Sequence, residues 1–113
     1  MKMQDFIAQI LKKDANAKII SSGDFNEFSF VKPQEIFVSK SGLKDLDEVA
    51  GIAKLERYTY LFDMNCQQLD HMYISKSMTS NAKFEHIHIN TWASSANQIS
   101  DHDPSVARLN VCQ

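Results

Sequence analysis

The 113-residue sequence predicts an α/β fold, mainly antiparallel sheet with outer helices, on three observations. An amphipathic stripe opens the chain. A short apolar run that ends in a polar loop follows it. Further on, two runs rich in aromatic and apolar residues flank a turn-like tetrapeptide. At this length the chain is read as one domain, residues 1–113, burying roughly two-thirds of the surface its unfolded form would expose.

Met3, Phe6, Ile7, Ile10 and Leu11 recur at three- and four-residue intervals, so they lie on one helical face, and Lys12 and Lys13 suit the negative end of its dipole. Ala17 to Ser22 reads as a buried strand around Ile19 and Ile20, stopped by Gly23. Pro33 fits a first helical turn and Gly42 a helix end, which predicts a second helix over about residues 33–40. Arg57–Phe62 and Gln67–Ser75, separated by Asp63-Met64-Asn65-Cys66, predict an antiparallel hairpin. Phe84–Asn90 and Val106–Val111 read as two more strands.

Twelve basic and fourteen acidic residues leave a net charge of -2, which excludes a broad basic field of the kind that binds nucleic acid by counterion release. Contact with a polyanion would have to be local. Cys66 and Cys112 have neither the number nor the spacing of a disulfide framework or structural zinc site. The N-terminus lacks the long apolar stretch of a signal peptide or membrane span, so as written the chain is expected in the cytosol, with no membrane partner.

Four short motifs carry chemistry. Asp24 and Asn26, two apart after a strand, can lean the same way as a general base beside an amide, although Gly, Asp and Asn also form ordinary turns. Asp70 opens an apolar run and could accept a hydrogen bond from a histidine, fixing its tautomer and favouring its charged form. Asp101 and His102 precede Asp103-Pro104 and could be a pre-proline turn, or could supply such a histidine, with Asp70 as its orienting carboxylate. His86 and His88 alternate with isoleucines and read as a solvated strand face; joined with His71, they could also be drawn as a metal site. Tyr58, Tyr60 and Phe62 alternate with period two and are assigned to the core rather than to base stacking.

Taken in order, Gly23-Asp24-Phe25-Asn26, Arg57-Tyr58-Thr59-Tyr60, Leu69-Asp70-His71 and Ser100-Asp101-His102-Asp103-Pro104 resemble the C-terminal half of the endonuclease/exonuclease/phosphatase superfamily. The nearest branch is that of predicted secreted nucleases related to deoxyribonuclease I. The resemblance implies one half of a four-layered α/β sandwich and hydrolysis of phosphate esters with Mg2+ or Mn2+. It gives Asp24 the attacking water, Asn26 the scissile phosphate and Asp101 the metal side. It gives His102 donation to the phosphate, with Asp70 holding His102. The family's N-terminal half, with its metal-binding glutamate, has no counterpart here, and none of Glu27, Glu35, Glu48, Glu56 or Glu85 stands in a matching context. The isolated chain is therefore expected to bind the cation weakly. It is expected to pair with a separate N-terminal half or with itself through an uncovered apolar sheet face. A second reading, from a different class, is a non-catalytic module that uses that face to bind a protein. The substrate, whether DNA, RNA or a small phosphoester, is not fixed by the resemblance.

Overall fold

The computed structural model describes residues 1–112, an α/β arrangement of three helices and seven short antiparallel strands. Helix α1 spans Met3–Lys13 and buries Ile7, as its apolar stripe requires. Strand β1 spans Ile20–Asp24 and helix α2 spans Lys32–Ser41, with Pro33 in its first turn. Gly42 ends α2 in the left-handed conformation, φ 77°, where a side chain would be strained.

Strand β2, Lys44–Asp45, leads directly into the five-residue helix α3, Leu46–Ala50. Asp45 caps α3 by accepting the Asp47 N–H at 2.9 Å, and Gly51 closes it at φ 69°. Strands β3 (Tyr60–Phe62) and β4 (Asn65–Gln67) form a tight ribbon, β5 is Asp70–Ile74, and β6 (Lys83–His86) pairs with β7 (Ser105–Arg108).

The strands form a three-stranded sheet in the order β1-β5-β2 and two separate ribbons, β3-β4 and β6-β7. Side chains alternate along β5, so each face of the central sheet has its own core, and neither is the uncovered apolar face expected from the sequence. Tyr73 joins Ile7, Phe37 and Leu43 beneath α1 and α2, whereas Ile74 joins Leu46, Met78, Ala82 and Phe84 on the side of α3 and β6.

Several sequence expectations are corrected here. The hairpin is shorter than Arg57–Phe62 with Gln67–Ser75. Asp63 and Met64, both at positive φ, make a two-residue turn between Phe62 and Asn65, and residues 70–74 instead pair with β1 and β2. Gly23 does not stop β1 but lies inside it, opposite His71, while Ile20 is half exposed. The runs 84–90 and 106–111 shorten to Lys83–His86 and Ser105–Arg108. Phe62 is 60% exposed, so the Tyr58, Tyr60 and Phe62 row is not core.

Asp45 offers a prediction about stability. Burial and the nearby Asp47 charge hold its carboxyl above the usual range, against the lowering pull of the Asp47 N–H, His71 and Arg57. A carboxyl raised on folding stabilises the fold below its unfolded pKa, about 4, and this contribution is lost as pH rises through the raised value. Asp45→Asn keeps the capping oxygen and removes the charge. It is expected to raise the urea midpoint at pH 7, with the gain shrinking toward pH 4; an equal or lower midpoint at pH 7 refutes the account.

Candidate functional site

The site is built where the end of β1, the β3-β4 ribbon and the irregular segment before β7 meet. Asp24 ends β1 directly opposite Asp70, the first residue of β5. Its Oδ1 accepts the Asn26 N–H at 2.7 Å, an Asx turn that holds Asn26 at φ 53° and swings the chain away from the sheet. The Phe25 N–H is bound by the Leu69 carbonyl at 3.0 Å, so this turn is pinned to the start of β5.

Asp70 lies at the centre of a chain of short hydrogen bonds. Its Oδ2 accepts Thr59 Oγ1–H at 2.6 Å and His102 Nδ1–H at 2.6 Å. The backbone of His102 bridges to that of Tyr60, and their rings lie 4.9 Å apart, so imidazole and phenol share one wall. Burial pulls the His102 pKa down. The Asp70 hydrogen bond and the charges of Asp70, Asp24 and Asp101 outweigh it, and the net shift is upward. With Nδ1 given to Asp70, Nε2 is the nitrogen left for a ligand, and in the imidazolium it donates.

Asp24, Asn26, Asp101 and His102 all line one open cavity of about 440 Å³, together with Glu27, Phe28, Tyr60, Phe62, Gln67 and Leu69. The residues singled out from sequence are thus brought together: four at the cavity wall and Asp70 bonded directly to His102. The arrangement offers three carboxylates, from Asp24, Glu27 and Asp101, two amides, from Asn26 and Gln67, and a charge-assisted donor to a ligand that carries oxygens.

Sequence reasoning missed the residues that hold this site in place. Thr59 is fully buried. Its hydroxyl donates to Asp70 and receives the N–H groups of Asp70 at 3.2 Å and Leu69 at 3.4 Å, while its carbonyl accepts the N–H of Asp103 at 2.7 Å. Only its place in the motif Tyr58-Thr59-Tyr60 hinted at it. Thr59→Val keeps the shape but removes the hydroxyl. It is expected to cost about 1–3 kcal/mol in urea unfolding, with most of the loss restored in Thr59→Ser; a neutral Thr59→Val would mean that the hydroxyl does not support Asp70.

Asp103 is a second hidden element, only 4% exposed. It accepts the N–H groups of Asn90 (2.8 Å) and Thr91 (3.0 Å), the Thr91 hydroxyl (2.6 Å) and His88 Nδ1 (3.0 Å). Burial pushes its carboxyl up, but these donors prevail and hold it below the usual range. The Asn90 side chain donates to the His102 carbonyl at 2.7 Å, so the segment carrying His102 is tied down on both sides of Asp103.

The three histidines outside the site do not meet as the drawn metal site would require, nor are His86 and His88 a solvated face. His86 is buried between Asp47 (2.8 Å) and Ser105 (2.7 Å), His88 stacks on Tyr58 and bonds Asp103, and His71 bonds the Glu27 carbonyl at 2.8 Å. A strand pattern alone does not reveal that Asp47, on a helix almost forty residues upstream, waits beneath His86. Among the described residues no three His, Cys, Asp or Glu side chains gather as a metal-holding group.

Cys66 and Cys112 are both free and exposed. No helix among the described residues is long and apolar enough to cross a membrane. Compared with protein-family models, with curated proteins and with solved structures, the chain matches none of them.

Proposed function

We propose that this chain is the C-terminal half of a metal-dependent phosphodiesterase of the endonuclease/exonuclease/phosphatase type, its sheet and outer helices forming one half of a four-layered sandwich. The observation that carries the reading is the convergence of Asp24, Asn26, Asp101 and His102 on one cavity, with Asp70 bonded to His102 at 2.6 Å.

In this reading the phosphate lies between Asn26, whose amide holds a nonbridging oxygen, and His102 Nε2–H, which donates to another as negative charge builds on it. Asp24 accepts a proton from the attacking water, whose oxygen bonds to phosphorus as the bond to the leaving oxygen breaks. The leaving oxygen takes a proton from solvent, so the diester and water become a monoester and an alcohol. Asp70 keeps the imidazole charged and oriented. A divalent cation, Mg2+ or Mn2+, would supply further charge neutralisation; Asp101 is this chain's contribution to it, and a carboxylate from an N-terminal half would complete it.

Pairing with such a half or with a second copy would use apolar side chains outside the central sheet, since both of its faces are covered. Leu55 is 87%, Met64 91% and Ile99 95% exposed, each on a separate turn or irregular segment. The test is a nicking assay in Mg2+ on a plasmid and on a single-stranded circular DNA, with fractions whose mass is measured by light scattering, with and without a supplied N-terminal half. Nicking that follows the protein and vanishes in His102→Ala supports the reading. Oligomers that never nick under any complementation refute it and favour a non-catalytic module.

A further inference from the structure

We propose that the cavity adjoining the site binds the stretch of a single-stranded nucleic acid that flanks the cleaved bond; this substrate class rests on the phosphodiesterase reading above. The adjoining cavity, about 500 Å³, shares the walls Phe28 and Gln67 with the cavity of Asp24 and His102. Its charged lining is Lys54 and Arg57 with no carboxylate, the reverse of its neighbour, which holds Asp24, Glu27 and Asp101. A chain of phosphates entering the acidic cavity needs its compensation next door, and this is where the cations stand.

The two cations are not equivalent. Arg57 is committed to Glu48 and to the Ile52 carbonyl. Lys54, among the described residues, has no ion-pair partner. One free ammonium suits a flanking phosphate.

The aromatic groups suit the bases. The rings of Phe28 and Phe30 lie parallel, 3° apart with centroids at 5.3 Å, and Phe30 is 75% exposed, so its outer face is open. Tyr58, backed by His88 at 3.8 Å, offers a second supported ring in the same cavity. Stacking rings beside a local cation bind unpaired strands with little regard for sequence, whereas a duplex keeps its base faces inside the helix. A small phosphoester would occupy the first cavity alone and leave Phe30 without a contact. The overall charge of -2 also disfavours duplex binding, which leans on a broad basic surface.

The experiment measures fluorescence anisotropy of a labelled oligothymidylate with the full chain in EDTA, where hydrolysis plays no part, and repeats it across a salt series. The wild type is expected to bind the strand and to bind its duplex far less well. Phe30→Ala is expected to weaken strand binding by roughly tenfold, and Lys54→Ala to flatten the log–log salt slope by about 0.7. Both side chains are exposed, so neither variant endangers the fold. Lys12→Ala, on α1, should bind as wild type. Failure of the wild type to bind, unchanged binding in both variants, or equal affinity for duplex overturns the proposal. So would oligomers that Phe30→Ala disperses without any strand binding, because they would give the groove to a second copy. Strand binding lost in the variants, with no hydrolysis by any assembly, upholds the groove and removes the phosphodiesterase reading.

Discussion

Asp103→Ala is expected to remove a large share of the protein's stability. The carboxylate is nearly inaccessible and gathers four donors, from Asn90, Thr91 (twice) and His88. Removing it leaves all four without their acceptor in a site that water barely reaches. Breaking one partner out of a buried charged network costs about 3–5 kcal/mol, against a total stability of roughly 5–15 kcal/mol for a domain. Urea unfolding followed by the fluorescence of Trp92, the only tryptophan and the neighbour of Thr91, reads the loss directly. The gap between wild type and variant should depend on pH. A carboxyl lowered on folding stabilises above its unfolded pKa, about 4, and that stabilisation is lost as pH falls through the lowered value. The variant and the wild type should therefore converge in strong acid. A midpoint within error of wild type at pH 7 would show that the Asn90–Thr91 turn closes without Asp103.

His102→Ala is expected to leave the fold nearly intact and, on the proposed phosphodiesterase reading, to lower the rate sharply. Its imidazole is about one-quarter exposed, and its one polar partner, Asp70, keeps the Thr59 hydroxyl when the ring is gone. If Nε2 donates to the phosphate as charge develops, losing it should lower the rate constant of the complemented enzyme on the order of a hundredfold or more. Asp70→Asn should fall between the two, because the ring remains but the charge that favours its protonated form does not. Steady-state rates on a labelled phosphodiester, with urea midpoints alongside, separate catalysis from stability. An unchanged rate in His102→Ala would remove the residue from the chemistry.

Where the sequence was legible, local physics was in charge. The apolar stripe from Met3 to Leu11 and the Pro33-to-Gly42 bracket define α1 and α2 because helix periodicity and caps are nearest-neighbour effects. Asp24, Asn26, Asp70, Asp101 and His102 stood out in the same way, since they sit at strand ends or in turns that their own composition marks. What escaped was decided at long range. Residues 70–74 pair with a strand fifty residues earlier rather than with the nearby run at 57–62, because Tyr73 and Ile74 each find a core on opposite faces of the sheet. Helix α3 is too short to show a period, and its signals, Asp45 and Gly51, lie at its caps. The burial of His86 depends on Asp47, and the role of Thr59 on Asp70 and Asp103; none of these pairings leaves a trace in spacing.

The two-sided grip of Thr59 also bears on how the molecule opens. Its hydroxyl is fastened to Asp70 in the central sheet, and its carbonyl to the amide of Asp103 in a stretch with little regular structure. Such a stretch would ordinarily exchange its amide hydrogens through small, frequent excursions. Here the amides of Asn90, Thr91 and Asp103 can be released only by undoing contacts that run back to β5. They belong to the same cooperative unit as the sheet, and their exchange rates should rise and fall with those of the Tyr73 region under denaturant. His102 is thereby carried by a segment that looks like a loop but opens only with the sheet.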